Sequence, residues 1–289
     1  METFFSFLEK SISDSSSLLC VGLDPHLPDL EAPTAASALE YCLRLVKATA
    51  PYAAAFKPNA AFFEVLGAQG WSVLKQVIEA VGEESARRGS MIPVILDAKR
   101  GDIASTAEAY AAAAFGSLGA QCITLSPYLG RDSIEPFIRD SEKGVFLLCK
   151  TSNAGSSDLQ DIPVVSGRWP AAGQGPAADH PQPTVPLYEH VARLAQQWNT
   201  RNNIGLVIGA THPKIMADIR AAVPDMWFLA PGVGTQGGEL ESALKAGLRK
   251  DGKGMLINVS RGISRSEKPG VAAAQLRDEI VNIKRELNH

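Results

Sequence analysis

Eight short apolar runs, each closed by polar residues and followed by a helix-forming segment, constrain this 289-residue chain more than any other feature. The runs are Leu18–Leu23, Ala53–Phe56, Val94–Leu96, Cys122–Leu125, Val145–Cys149, Gly205–Gly209, Trp227–Ala230 and Met255–Val259. Strands that are apolar throughout, rather than alternating, suit parallel sheets covered on both faces. Between them apolar residues recur at helical spacing, as in Leu39, Cys42, Leu43 and Val46 of segment 35–49. The same spacing predicts helices over 71–87, 132–140, 186–199 and 270–287, and a short amphipathic helix carrying Phe4, Phe5, Leu8 and Ile12. Eight such units predict an α/β fold, a (β/α)8 barrel, with residues 1–289 forming a single domain. An open doubly wound sheet would place a glycine-rich turn after its first strand, and Leu23-Asp24-Pro25-His26 is not one. Residues 154–184, rich in glycine and proline and poor in periodic apolar positions, interrupt the rhythm after the fifth strand. An insertion of that length predicts a functional lid or a mobile loop.

Charge and composition remove several function classes. The net charge of −3 comes with no basic stripe that could track a nucleic-acid backbone, so an anionic ligand must be held by a few placed groups. Cys20, Cys42, Cys122 and Cys149 form no C-x-x-C pair, and three of them lie within apolar runs, which predicts small buried residues in a reduced compartment. No apolar run approaches the roughly 20 residues that cross a bilayer, and the start of the chain lacks the basic-then-apolar pattern of a signal peptide. A cytoplasmic enzyme without a membrane partner is the expectation.

In a (β/α)8 barrel the strand C-termini converge on one mouth, where the chemistry resides. Here nearly every strand ends in a charged or hydrogen-bonding group: Asp24, Lys57, the Asp97/Lys99/Asp102 cluster, Ser126, Ser152, Gln236 and Arg261. Asp97 and Lys99 are two apart and point to one face of a strand. Any one of these could be a solvated surface group; the whole set at one mouth is a site. Glycine-rich Pro231-Gly-Val-Gly-Thr-Gln236-Gly-Gly, with Arg261 after the last strand, predicts a phosphate clamp from the loops after strands seven and eight. Five scattered histidines show no metal-ligand spacing, and His212, just before Pro213, reads as a local helix cap. No Ser-His-Asp pattern is visible. Electrostatic or acid–base chemistry by Lys and Asp, with no metal or cofactor, is what remains.

The ordered set Phe56-Lys57-Pro58-Asn59, Asp97-Ala-Lys-Arg-Gly-Asp102-Ile, Pro231-Gly-Val-Gly-Thr-Gln236 and Ser260-Arg261-Gly262 resembles the orotidine 5′-phosphate decarboxylases, and the long insertion their larger bacterial-type subfamily. The resemblance implies decarboxylation of orotidine 5′-phosphate to UMP without a cofactor. It also implies a homodimer in which Lys57, Asp97 and Lys99 of one subunit meet Asp102 of the other. Asp24 and Lys57 would bind the ribose, with Thr106 reaching it from across the dimer. Ser152 would read the pyrimidine edge, and Gln236 and Arg261 would hold the phosphate. Two positions depart from the family pattern: Ala154 stands where proline often follows Ser-Asn, and Leu125-Ser126 replaces a usual Val-Asn. Trp169 could cap the pyrimidine or pack on the surface. Two other classes share parts of the pattern: a sister barrel acting on sugar phosphates through Mg2+, and a non-catalytic sensor of phosphate ligands.

Overall fold

The computed structural model describes residues 2–165, 184–234 and 239–287. Among them, eight parallel strands form one sheet: β1 (Leu19–Leu23), β2 (Ala55–Pro58), β3 (Ile95–Arg100), β4 (Cys122–Leu125), β5 (Gly144–Lys150), β6 (Ile204–Ile208), β7 (Trp227–Pro231) and β8 (Met255–Val259). β8 pairs with β1, and single parallel bridges, Phe56 to Val94 and Asn59 to Asp97, join β2 to β3 and complete the ring. The strands are buried almost end to end because helices such as Ala35–Thr49, Gly67–Arg88 and Pro269–Glu286 cover their outer face. This is the (β/α)8 architecture expected from the apolar runs.

The N-terminal end of the barrel is sealed rather than open. Helix Phe4–Ser15 stacks Phe5 on Trp227, with ring centroids 5.4 Å apart, and sets its edge against Phe146. Phe4 covers Gly144 so closely that any Cβ there would overlap the ring. Burying two aromatic rings in this way stabilises the closed end by several kcal/mol, at about 25 cal/mol per Å2 of apolar surface. Chemistry is therefore left to the opposite end.

Several elements differ from the sequence reading. The expected helix over 132–140 is only a 3-10 turn, Arg131–Ser133, and one helical turn, Glu135–Ile138, because Pro136 fits only a first turn. The helix after β3, Ala104–Ala111, widens into a π-helical stretch at Ala112–Ser117. Helix Leu240–Gly247, which precedes β8, was not marked by periodicity. The insertion is not wholly irregular: it opens with a 3-10 turn, Ala154–Asp158, and Pro163–Val165 pairs antiparallel with Thr184–Pro186. Trp169 lies outside the described residues. His212 does precede helix Pro213–Ala222, but its side chain makes no capping bond. All four cysteines are buried and free, and burial pushes the Cys20 thiol up to about 12. Among the described residues no helix is long and apolar enough to cross a membrane.

Candidate active site

A cavity of about 600 Å3 opens at the C-terminal ends of the strands, and Asp24, Lys57, Asp97, Lys99, Ser152 and Arg261 all line it. Five strand ends thus bring six of the residues singled out from sequence to one place. Asp102 and Thr106 are not among its lining residues; Thr106 is exposed, and Asp102 accepts a hydrogen bond at Oδ1 from the Ile103 amide, 2.8 Å. Gln236 lies outside the described residues.

Asp97 is the hub. Its Oδ2 takes a hydrogen bond from Lys57 Nζ at 2.7 Å, and its Oδ1 takes one from Lys99 Nζ at 2.6 Å. Lys57 and Asp97 are 5% and 8% exposed, so this ion pair is withdrawn from water. Desolvation alone would neutralise both groups; mutual attraction reverses that. Burial pulls the Lys57 ammonium down, but Asp97 and then Asp24 outweigh it and hold its pKa above the ordinary lysine value. Burial likewise raises the Asp97 carboxyl, yet Lys57 and Lys99 hold it well below the usual carboxylate range. Lys57 and Asp97 therefore both stay charged at neutral pH.

A regular strand would not deliver this geometry alone. The register of β3 against β4 shifts between Leu96 and Arg100, and Lys99 has a φ of 48°, in the left-handed region that lysine disfavours. Thr124 on β4 supports the bend. Its hydroxyl donates to Asp97 Oδ1 at 3.0 Å and accepts from the backbone amides of Ala98 and Lys99 at 3.1 and 3.0 Å. Strain of this kind costs on the order of 1–3 kcal/mol and persists only where neighbours hold it.

Around the hub, several groups have unspent hydrogen-bonding capacity. Among the described residues, Asp24 Oδ1 and Ser260 Oγ are buried without a hydrogen-bond partner. An unsatisfied buried polar group costs roughly 1–3 kcal/mol; a ligand hydroxyl donating to Asp24, or a phosphate oxygen accepting from Ser260, would relieve it. Arg261, at the start of the turn Arg261–Ser264, has no carboxylate partner among the described residues. After β7 the chain turns through Gly232 and Gly234 at φ of 98° and 77°, conformations that only glycine adopts readily. Beside Ser152, Gly209 packs so closely that a Cβ would meet the Ser152 backbone nitrogen at 3.0 Å, and its amide donates to Lys150 O at 2.8 Å.

Sequence reasoning missed several lining residues, among them Thr124, Asn258, His26 and Gln160. Thr124 was visible only as the one polar member of an apolar run. Asn258, in the run before Ser260, donates to Cys20 O at 3.1 Å and ties β8 to β1. His26 stacks at a tilt on Phe62, centroids 4.1 Å apart, and Gln160 belongs to the insertion. Neither carries a local pattern that would mark it.

Comparisons with known proteins place the chain in a family. A family model described as orotidine 5′-phosphate decarboxylase / HUMPS family matches residues 17–168 and 176–276. A protein of Roseiflexus castenholzii named orotidine 5′-phosphate decarboxylase is 46% identical, covering 96% of this chain and 97% of its own length. One of the same name from Herpetosiphon aurantiacus is 40% identical, over 99% of each chain. The structure of Leishmania donovani OMP decarboxylase superposes with a TM-score of 0.82 at 50% identity, covering 98% of this chain and 99% of that one.

Proposed function

The chain belongs to the orotidine 5′-phosphate decarboxylase / HUMPS family, and from that premise we propose that it decarboxylates orotidine 5′-phosphate to UMP at the cavity around Asp97. The observation that carries the residue assignment is the Lys57–Asp97–Lys99 array, a buried ion pair joined by a half-exposed second ammonium, with both ammonium groups on one carboxylate at 2.7 and 2.6 Å.

In the reaction the bond between ring carbon C6 and the carboxylate breaks, CO2 leaves, and the electron pair stays on C6. No ring atom delocalises that pair, so the catalyst must stabilise charge where it forms. A fixed ammonium does so best when it is already oriented, since water would have to reorganise. Lys99 takes this role: it lies against the C6 anion and then donates its Nζ proton there, which yields UMP. Its side chain is 48% exposed, so it recovers a proton from solvent. Asp97 holds Lys99 in position, and Lys57 neutralises the second face of Asp97 while reaching the ribose. Asp24, whose buried Oδ1 has no partner among the described residues, accepts from a ribose hydroxyl. Ser152 faces the pyrimidine, and Gln236 and Arg261 clamp the phosphate. Binding energy from that remote phosphate is available to organise the reacting end.

Asp102 and Thr106 complete the site of a second copy in a homodimer. The exposed apolar side chains Ile103, Tyr128 and Leu129 on the flanking loops supply a surface for such a contact. The working compartment is the cytoplasm. The test is the loss of orotidine 5′-phosphate absorbance with purified protein in EDTA. Turnover that vanishes in Lys99→Ala, with the fold retained, supports the assignment. Absence of turnover in the wild type overturns the activity, and substantial turnover in Lys99→Ala overturns the role of Lys99.

A further inference from the structure

Gln160, in the first leg of the insertion, reaches back to the turn that follows β5. Its Oε1 accepts from the Thr151 backbone amide at 2.9 Å, and its Nε2 donates to Thr151 Oγ1 at 2.8 Å. Thr151 Oγ1 in turn donates to Asn153 Oδ1 at 2.7 Å. The direction of this chain is not free. A backbone N–H can only donate, so the carbonyl end of Gln160 must face it. That leaves the amide nitrogen of Gln160 facing the Thr151 hydroxyl, which accepts there and passes its own hydrogen to Asn153. The atom of Asn153 that receives it must be the oxygen. Its NH2 group is thereby left, among the described residues, as the unused half of an amide that lines the cavity.

The frame holding Gln160 is rigid. The next residue, Asp161, pairs with Lys150 Nζ at 2.7 Å, and Lys150 is 1% exposed. Gln160 O accepts from the Tyr188 amide at 3.0 Å. A buried ammonium with one carboxylate partner is costly to unpair, so the leg carrying Gln160 stays seated beside Thr151.

We infer that Gln160 is a positioning residue that, through Thr151, fixes Asn153 as a hydrogen-bond donor to a carbonyl oxygen of the pyrimidine. This rests on the decarboxylase reading and adds to it a polarity device for base recognition, built from the insertion. A ligand with an acceptor at that edge is favoured; one presenting a donor meets another donor.

Gln160→Glu separates polarity from simple bracing. A glutamate still accepts from the Thr151 amide, but its second oxygen can only accept, so the Thr151 hydroxyl turns toward it and Asn153 is released. Inhibition constants for UMP and ribose 5-phosphate are measured on the wild type, Gln160→Glu, Asn153→Ala and the double variant. The expected result is about a tenfold weaker UMP constant in each single variant, the size of one ordinary hydrogen bond. Ribose 5-phosphate should change less than about twofold, and the double variant should be no weaker than Asn153→Ala, as expected for residues acting as one unit. Unchanged UMP binding in Gln160→Glu, equal losses for both ligands, or multiplying losses would overturn the relay. If Gln160→Glu fails to fold, Thr151→Val cuts the relay at its middle and must show the same UMP-selective loss, with Thr151→Ser restoring it. A wild type that does not turn over orotidine 5′-phosphate defeats the decarboxylase reading; a working wild type with indifferent variants defeats only the relay.

Discussion

Replacing Asp97 by Asn isolates what the central carboxylate does for the fold. The substitution preserves shape beside Thr124 and removes the charge between two lysines. Lys57, 5% exposed, is then left with Asp24 as its remaining acidic neighbour. Its escape is to lose the proton, which at pH 7 costs about 1.36 × (10.4 − 7), or roughly 4.6 kcal/mol, so the damage cannot greatly exceed that. Breaking a buried pair from one side typically costs 3–5 kcal/mol, and Asp24 offsets part of it. We expect about 3–4 kcal/mol, or a melting point lower by about 6–8 °C for a chain this long. The pH dependence fixes the cause. In the wild type the Lys57 pKa is raised, so its contribution is complete below the unfolded lysine value and fades only as pH climbs through the folded one. Asp97 is depressed, so its contribution is present above the unfolded carboxylate value of about 3.9 and fades as pH falls through the folded one. In Asp97→Asn the sign for Lys57 reverses: burial now lowers its pKa, the unfolded chain holds more protons, and stability rises with pH toward about 10. Thermal or urea unfolding at pH 6, 8 and 10, followed by tryptophan fluorescence, reads the gap. Adding Lys57→Met should recover most of the loss, since a neutral apolar pair of similar volume replaces an orphaned charge. A deficit under about 1 kcal/mol, one constant with pH, or a double variant as unstable as the single would refute the reasoning.

If Asp102 serves a neighbouring site, mixing inactive Lys99→Ala with inactive Asp102→Ala should restore turnover, because hybrid dimers carry one intact site; no recovery after verified subunit exchange would refute a shared site. Thr124→Val leaves the amides of Ala98 and Lys99 without their acceptor. It should lower kcat by at least about tenfold with KM changed less than about threefold, and cost roughly 1–3 kcal/mol in unfolding free energy; a wild-type kcat would show that Lys99 holds its geometry without the hydroxyl.

The barrel was legible because burial of both strand faces writes continuous apolar runs, a signal that does not depend on partners far along the chain. Polar residues at the ends of those runs were legible for the same reason, which is how Asp24, Lys57, Asp97, Lys99, Ser152 and Arg261 were found. What escaped has a different physical origin. The π-helical stretch at Ala112–Ser117 has no periodicity of its own, and the short turn at Glu135–Ile138 hides behind helical-looking composition. Thr124 acts through a hydrogen bond 27 residues away in sequence, and Gln160 through one nine residues away across an irregular segment. Such contacts are set by the closed barrel and carry no local pattern. The proximity of Asp97 and Lys99 was expected from strand alternation, yet it is achieved through a register shift and a left-handed Lys99.

That last difference bears on mechanism. A lysine on an unbroken strand would stand its side chain roughly perpendicular to the sheet; a left-handed one, with its amide bound to Thr124, starts from a backbone that a regular sheet would not supply. The unfavourable φ of Lys99 and the Asp24 oxygen that no described residue satisfies each cost stability, and both border one cavity. Costs scattered over a fold are ordinary, since most positions have a more stable residue at hand. Costs gathered at one mouth, while the other end is sealed by stacked aromatic rings, mean that the stability of the closed end underwrites a polar site whose groups are already aimed before the substrate arrives.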